Sequence, residues 1–257
     1  MANLAFHHIA REYARFRPDY PAAVLDRLLA LTGCADGRWA LDLGCGTGQL
    51  TRPLASAGWN VIAADADELM VRTMLAGDSA RTVAIHCVAE SIGIATGSVS
   101  VVTCAQALHW FNPRYALPEI ARVLRNSGGI AVFLWTDRCL SSPFIAEFNE
   151  FIRQWSPSFH HEYAEQDWCA KLRSTGYFDP PTDMTVNWIW RPTIDAFVGY
   201  AKTLTYLRNT VPRNHWPHMD KVLRERCAEH FPAGNCEIPL STRFIVARRI
   251  AGTAKSM

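Results

Sequence analysis

The sequence predicts an α/β fold, a mostly parallel sheet with helices on both faces, and three observations carry that prediction. Strand-length apolar runs alternate with helix-length amphipathic segments from residue 22 to residue 135. The first run, Trp39 to Leu43, ends abruptly in Gly44-Cys45-Gly46-Thr47-Gly48, with glycine on alternate positions. The second, Val61 to Ala64, ends in an acidic residue, Asp65, 21 positions beyond Gly44. Glycines admit positive φ and remove side chains that would keep a ligand off the main chain, so the loop after the first strand reads as a binding turn.

Composition narrows the class. With 257 residues the chain can bury a full core as one large domain, and 49% hydrophobic with 19% charged residues is ordinary for a soluble globular protein. The formal charge is +2 and no basic run or basic-aromatic alternation marks a nucleic-acid groove, so no nucleic-acid partner is expected. No apolar run approaches the roughly 18 residues of a membrane span. Met1 to Arg11 also lacks a signal-peptide pattern, so a cytosolic protein with no membrane partner is expected, as a monomer or weak dimer. The eight cysteines include no C-x-x-C pair and read as free core thiols. His160-His161-Glu162 has no third ligand at suitable spacing, so no metal is expected.

Each element follows from a local pattern. Ala22 to Leu31 is a helix with Val24, Leu25, Leu28 and Leu29 inward and Pro21 at its first position. After the Trp39 strand, Gln49 to Ala57 is a helix with Leu50, Leu54 and Ala57 on one face, stopped by Gly58. Asn60 to Asp65 is the second strand, and Asp67 caps a helix with Leu69, Met70 and Met74. Val83 to Cys87 and Ser98 to Cys104 are the third and fourth strands, and Pro113 to Arg125 packs a helix on the sheet through Leu117, Ile120, Ala121 and Leu124. Asn126-Ser127-Gly128-Gly129 turns into a fifth strand, Ile130 to Trp135. Helices then follow at Ser142 to Trp155, Glu162 to Ser174, Ile194 to Arg208 and Pro217 to Phe231. Period-two alternation marks strands at Thr185 to Trp190 and Ile238 to Ile250.

The glycine loop discriminates between ligands. A dinucleotide fingerprint needs G-x-G-x-x-G, whereas here the third glycine comes one residue early and Gln49 stands where the last is expected. The pattern D-x-G-x-G-x-G, starting at Asp42, resembles motif I of class I S-adenosylmethionine (SAM) dependent methyltransferases, whose turn holds the methionine part of SAM. Two further stretches are similar to the small-molecule branch that includes trans-aconitate methyltransferase-like enzymes. They are Tyr13 to Pro21, with its Y…R-P-x-Y-P order, and Gln106-Ala107-Leu108-His109-Trp110-Phe111.

The resemblance implies a Rossmann-like seven-stranded sheet, mostly parallel with an antiparallel last strand, plus a helical cap. It divides one domain into an N-terminal lid (1–35), a SAM-binding core (36–135), a cap and substrate region (136–231) and a final strand (232–257). It implies SAM as cofactor, bound by Asp42, Gly44, Cys45 and Gly46 of the loop, by Asp65 through the ribose with Ala66 beside it, and by Ala89 and Glu90 near the adenine. Gln106 would lie beside the SAM amino group, Arg17 against its carboxylate, and Tyr13 or Tyr20 near the sulfonium. Many members carry Asp where this chain has Val88, and Asp where it has Ser100. Gln106 to Phe111 follows a parallel strand and so faces the same crevice as the loop.

His109 and Trp110 are the catalytic candidates. His109 can serve as a general base titrating near working pH, or hold structure and substrate. Tyr200, Thr203, Thr205, Tyr206 and Arg208 resemble the family's Thr-x-Ser region, which implies that they reach the pocket from the cap, and Arg15 or Arg208 can hold an acidic acceptor. The expected function is methyl transfer to a small-molecule O, N or C nucleophile. Two alternatives use the same site: an enzyme that cyclises or eliminates within SAM itself, and a SAM-binding protein that acts through a partner.

Overall fold

The computed structural model describes residues 7–33, 35–77, 80–157, 159 and 166–252. In chain order the first half comprises α1 (Ala10–Phe16), α2 (Ala22–Thr32), β1 (Trp39–Leu43), α3 (Thr51–Ser56), β2 (Asn60–Asp65), α4 (Glu68–Leu75), β3 (Thr82–His86), β4 (Val101–Ala105) and α5 (Pro113–Val123). The second half comprises β5 (Ile130–Arg138), α6 (Pro143–Trp155), α7 (Trp168–Ser174), β6 (Thr182–Trp190), α8 (Ile194–Lys202), α9 (Thr205–Thr210), α10 (Trp216–His230) and β7 (Ile238–Arg248).

The seven strands form one sheet in the order β3-β2-β1-β4-β5-β7-β6. β1 to β5 pair in parallel, and β7 runs antiparallel to both β5 and β6. The expected mixed sheet with a reversed last strand is therefore present. Strand order reverses between β1 and β4, which opens a crevice at their carboxyl ends.

The central strands are apolar throughout because both faces are covered. Along β5, Ala131 and Phe133 join Leu41, Leu117 and Ile120 on the α5 side, while Val132 and Leu134 join Val24, Leu28 and Leu54 on the other. A third cluster lies among α6, α8, α9 and α10, where Phe144, Phe148, Phe151, Phe197, Leu207 and Met219 are buried together. These helices thus have their own apolar core.

Several boundaries differ from the sequence expectation. β5 continues to Arg138, because Thr136, Asp137 and Arg138 pair with Thr242, Ser241 and Leu240 of β7; these polar residues looked like loop because their strand end faces a cavity. On α3, Ala55 is buried and Ala57 exposed. The helix expected from Glu162 begins at Trp168, capped by the Asp167 carboxylate, with 162–165 outside the described residues. The single helix expected from Ile194 to Arg208 is broken: the Thr203 hydroxyl donates to the Tyr200 carbonyl at 2.7 Å and Leu204 is extended. Arg17 Nη2 donates to the Thr203 carbonyl at 3.0 Å, which satisfies an acceptor that a continuous helix would have used. A short helix, α1, also occupies part of the N-terminal segment, ahead of Pro18.

Gly199 explains how α1 sits against the cap. A Cβ there would stand 2.4 Å from Cδ1 and 2.6 Å from Cγ of Phe16, so only glycine lets the Phe16 ring lie on α8. Alanine normally stabilises a helix interior by about 0.5–1 kcal/mol over glycine, whereas overpacking costs about 1–3 kcal/mol. Gly199→Ala is therefore expected to destabilise the protein by about 1 kcal/mol in denaturant unfolding, and Phe16→Leu in that background to recover part of the loss. A stabilised Gly199→Ala protein would refute this packing.

Candidate functional site

The end of β2 shapes the glycine loop. Gly44 and Cys45 both donate their N–H groups to the Ala64 carbonyl, at 2.8 and 3.0 Å. Gly46 N–H donates to Asp65 Oδ2 at 2.8 Å and Asp67 N–H to Asp65 Oδ1 at 2.9 Å. Burial raises the Asp65 pKa, partly offset by these main-chain donors. Gly44, Gly46 and Gly48 have φ of 73°, 54° and 88°. A Cβ would strike Ala107 at Gly44 (2.4 Å) and Met74 at Gly48 (2.5 Å), whereas at Gly46 its nearest neighbour is Tyr13 Cε1 at 3.9 Å. The loop is thus packed at its flanking glycines and has room at Gly46.

Asp42, at the end of β1, is fully buried and accepts from the hydroxyls of Thr51 at 2.6 Å and Thr103 at 3.0 Å. Burial pushes its pKa up to about 6, against those hydroxyls. Gln106, just past β4, holds a positive φ of 56°, uncommon for a residue with a side chain. Its N–H donates to the Leu134 carbonyl at 3.0 Å and its side-chain amide to the Thr136 carbonyl at 2.5 Å. The bond from Nε2 pins the amide and leaves Oε1 as its acceptor.

Two cavities meet at this loop. One, of about 530 Å³, is lined by Asp65, Ala66, Met70, Val88, Ala89 and Glu90. The other, of about 540 Å³, is lined by Arg17, Asp42, Cys45, His109, Arg138 and Tyr200, with further aromatic groups from β6 and the cap. Tyr13, Gly44, Gly46, Gln106 and Trp110 line both. The thirteen residues marked from the sequence as catalytic or cofactor-binding all line one cavity or the other.

The second turn of the site is tied down from α5. Ile92 N–H donates to Glu119 at 2.8 Å, and Arg122 donates to the Ile92 and Ile94 carbonyls at 2.7 and 2.8 Å. Glu90 accepts from Asn112 N–H at 2.6 Å. Its carboxylate thus joins the turn after β3 to the start of α5.

The residues marked in the N-terminal segment and after residue 136 divide by where they stand. The Arg17 guanidinium lies 4.6 Å from the Tyr13 ring centre and 5.3 Å from that of Tyr200. Tyr200, Thr205 and Tyr206 line the larger cavity, but Thr203 is buried in the α8–α9 break. Arg15 and Arg208 are exposed and line neither cavity, which corrects their assignment to an acidic acceptor. Arg138 is the cation that sequence reading missed there. It donates to Tyr200 Oη at 2.9 Å, Tyr206 Oη at 3.1 Å and Asn149 Oδ1 at 3.3 Å. It lies beyond Trp135, where the sequence pattern ends the fifth strand, on a polar stretch that pairs with β7.

His109 sits in a 3-10 turn (Leu108–Trp110), its ring centre 4.6 Å from Trp110 and 5.3 Å from Trp135. Burial pushes its pKa down to about 4. A base titrating near neutral pH is therefore not what this environment makes: at pH 7 the imidazole is neutral and weakly basic. Among the described residues no cluster of three or more His, Cys, Asp or Glu could hold a metal ion, and His160-His161-Glu162 lie outside them. Seven cysteines are free thiols, and Cys34 is also outside the described set. Among the described residues no helix is long and apolar enough to cross a membrane.

The fold agrees with comparisons to known proteins. Residues 41–133 match a family profile described as a methyltransferase domain. That segment runs from β1 into β5 and contains the glycine loop, Asp65 and Gln106. The chain is 39% identical over 150 residues to an uncharacterized methyltransferase of Mycobacterium tuberculosis, an alignment covering 58% of this chain and 59% of that relative. The chain thus matches only about three-fifths of such a relative's length. A solved structure from Anaeromyxobacter dehalogenans, provisionally described as a type II methyltransferase, superposes with a TM-score of 0.59 at 26% identity, covering 92% of this chain and 99% of that chain. The fold also matches an N-methyltransferase of Haemonchus contortus solved with phosphomonomethylethanolamine and S-adenosylhomocysteine, at TM-score 0.55 and 16% identity, covering 96% of this chain and 59% of that one.

His109 and Asp42 give the protein opposite acid responses. Between pH 6.5 and about 4 the unfolded chain protonates the histidine first, so acidification weakens the fold through His109. Between about 6 and 3.8 the folded chain protonates Asp42 first, so acidification strengthens it. A tenfold difference in proton affinity between folded and unfolded chains is worth about 1.4 kcal/mol. His109→Gln should therefore gain about 2 kcal/mol on wild type from pH 7 to pH 5, while Asp42→Asn should lose about 1 kcal/mol. Urea unfolding at both pH values measures this; a pH-independent His109→Gln difference would show a normally titrating imidazole.

Proposed function

We propose that this protein transfers the methyl group of SAM to a small-molecule acceptor, with SAM spanning the two cavities and the acceptor in the larger one. The observation that carries the proposal is the meeting of those cavities at Gly44, Gly46, Gln106 and Trp110. The residues present fit SAM: the loop is open at Gly46, a carboxylate stands at the end of β2, and shielded donors on Arg17 and Gln49 lack hydrogen-bond partners among the described residues. S-adenosylhomocysteine in the Haemonchus contortus structure is consistent with that ligand class.

When bound, SAM supplies an electrophilic methyl group and a thioether leaving group. The chain's own residues then bind, orient and exclude water. Asp65 holds the ribose hydroxyls through lone pairs left after its main-chain bonds, with Ala66 beside them. Ala89 and Glu90 border the adenine, and Val88 offers it an apolar wall in place of a carboxylate. Gln106 and Asp42 present acceptors toward the amino group, and Tyr13 offers a ring face to the sulfonium. Trp110 and His109 wall the methyl path. A neutral His109 leaves the acceptor to bring its own nucleophile, which positioning in a shielded site makes effective.

A cavity of about 540 Å³ favours a separate acceptor over ring closure within SAM, which needs no second chamber. Incubation with SAM and pools of carboxylic acids, phenols and amines, followed by mass analysis, tests this. S-adenosylhomocysteine should accumulate only with an acceptor; methylthioadenosine formed from SAM alone would overturn the proposal. Asp65→Ala should weaken S-adenosylhomocysteine binding at least ten-fold in calorimetry, since hydrogen bonds to a charged group contribute about 1.5–3 kcal/mol. Unchanged affinity would refute the ribose role.

A further inference from the structure

Gln49 stands where a dinucleotide loop would carry its last glycine, and none of the contacts proposed above involves it specifically. Its side chain is held from within the loop. The Thr47 hydroxyl donates to Gln49 Oε1 at 2.9 Å, and Arg52 Nη1 fixes the turn by donating to the Thr47 carbonyl at 2.7 Å. With Oε1 occupied, the amide can only turn Nε2 away from Thr47. That nitrogen is shielded from solvent and has no hydrogen-bond partner among the described residues, while Gln49 lines the larger cavity. Leaving such a donor unmade is costly unless a ligand meets it.

A second donor shares this condition. Arg17 Nε is shielded and without a partner among the described residues, although Nη2 of the same guanidinium bonds to Thr203. Arg17 lies over Tyr13, whose ring is the nearest neighbour a Cβ at Gly46 would meet, and Arg17, Tyr13, Gly46 and Gln49 all line the larger cavity. An amide N–H and a guanidinium N–H together ask for an acceptor with two oxygens and one negative charge, the chemistry of a carboxylate.

We infer that Gln49 is a binding residue for the α-carboxylate of SAM, acting beside Arg17. The inference rests on the SAM reading, and it makes the residue that departs from the dinucleotide pattern a positive determinant of the amino-acid end. Calorimetry with S-adenosylhomocysteine and with 5′-methylthioadenosine, which lacks that end, separates the possibilities for wild type, Gln49→Leu and Gln49→Glu. Gln49→Leu should lose about ten-fold in S-adenosylhomocysteine affinity, Gln49→Glu should lose more through charge repulsion, and both should bind methylthioadenosine as wild type does. Unchanged S-adenosylhomocysteine affinity in Gln49→Leu, tighter binding in Gln49→Glu, or equal loss of both ligands would overturn the inference. Wild type that binds neither ligand would refute the SAM reading itself.

Discussion

One half-buried carboxylate connects the two halves of the glycine loop's surroundings. Asp65 spans from Gly46 N–H to Asp67 N–H, so it sets the path of the loop after β1 and the start of α4 together. Removing that carboxylate from water is unfavourable, as its raised pKa records. The two main-chain donors offset part of this cost, and the Ala64 carbonyl anchors the loop beside them. Loop geometry is therefore a property of two neighbouring strands and not of the glycine-rich segment alone.

The two chambers differ in origin. The smaller is built from turns at the ends of β2 and β3 and from α5, with Glu119 and Arg122 clamping the segment after β3. The larger is built from the polar end of β5, from β6 and from cap helices that carry their own apolar cluster. Cap residues can therefore change the wall of the larger chamber while the sheet keeps the smaller one constant. Arg17 crosses between these structures, bonding to the carbonyl released where α8 gives way to α9.

The sheet was legible because apolar runs, glycine stops and caps are local signals: Asp67, Asn112 and Ser142 cap the helices that follow them. The cavity lining near the glycine loop was legible for the same reason, since loop and strand ends lie at fixed offsets. Three things were not. Arg138 was hidden because a polar strand end facing a cavity has the composition of a loop. The break after Lys202 depends on Arg17, 186 residues away, and no window along the helix contains it. The low pKa of His109 comes from its burial beside tryptophans, Trp135 among them, which the sequence places on a different strand.

The reversed strand has a consequence for how the molecule comes into being. Among the described residues β6 pairs in the sheet only with β7, and β7 pairs with β5 on its other side. During synthesis the strands β1 to β5 can join through successive crossovers as they emerge. β6, although complete by residue 190, has no place in the sheet until residues 238–248 are made. Its alternating Val186, Trp188 and Trp190 must wait through α8, α9 and α10. Closure of the larger chamber is thus a late event of high sequence separation, and the interval before it is when this chain offers an unpaired, aromatic-rich edge to other chains.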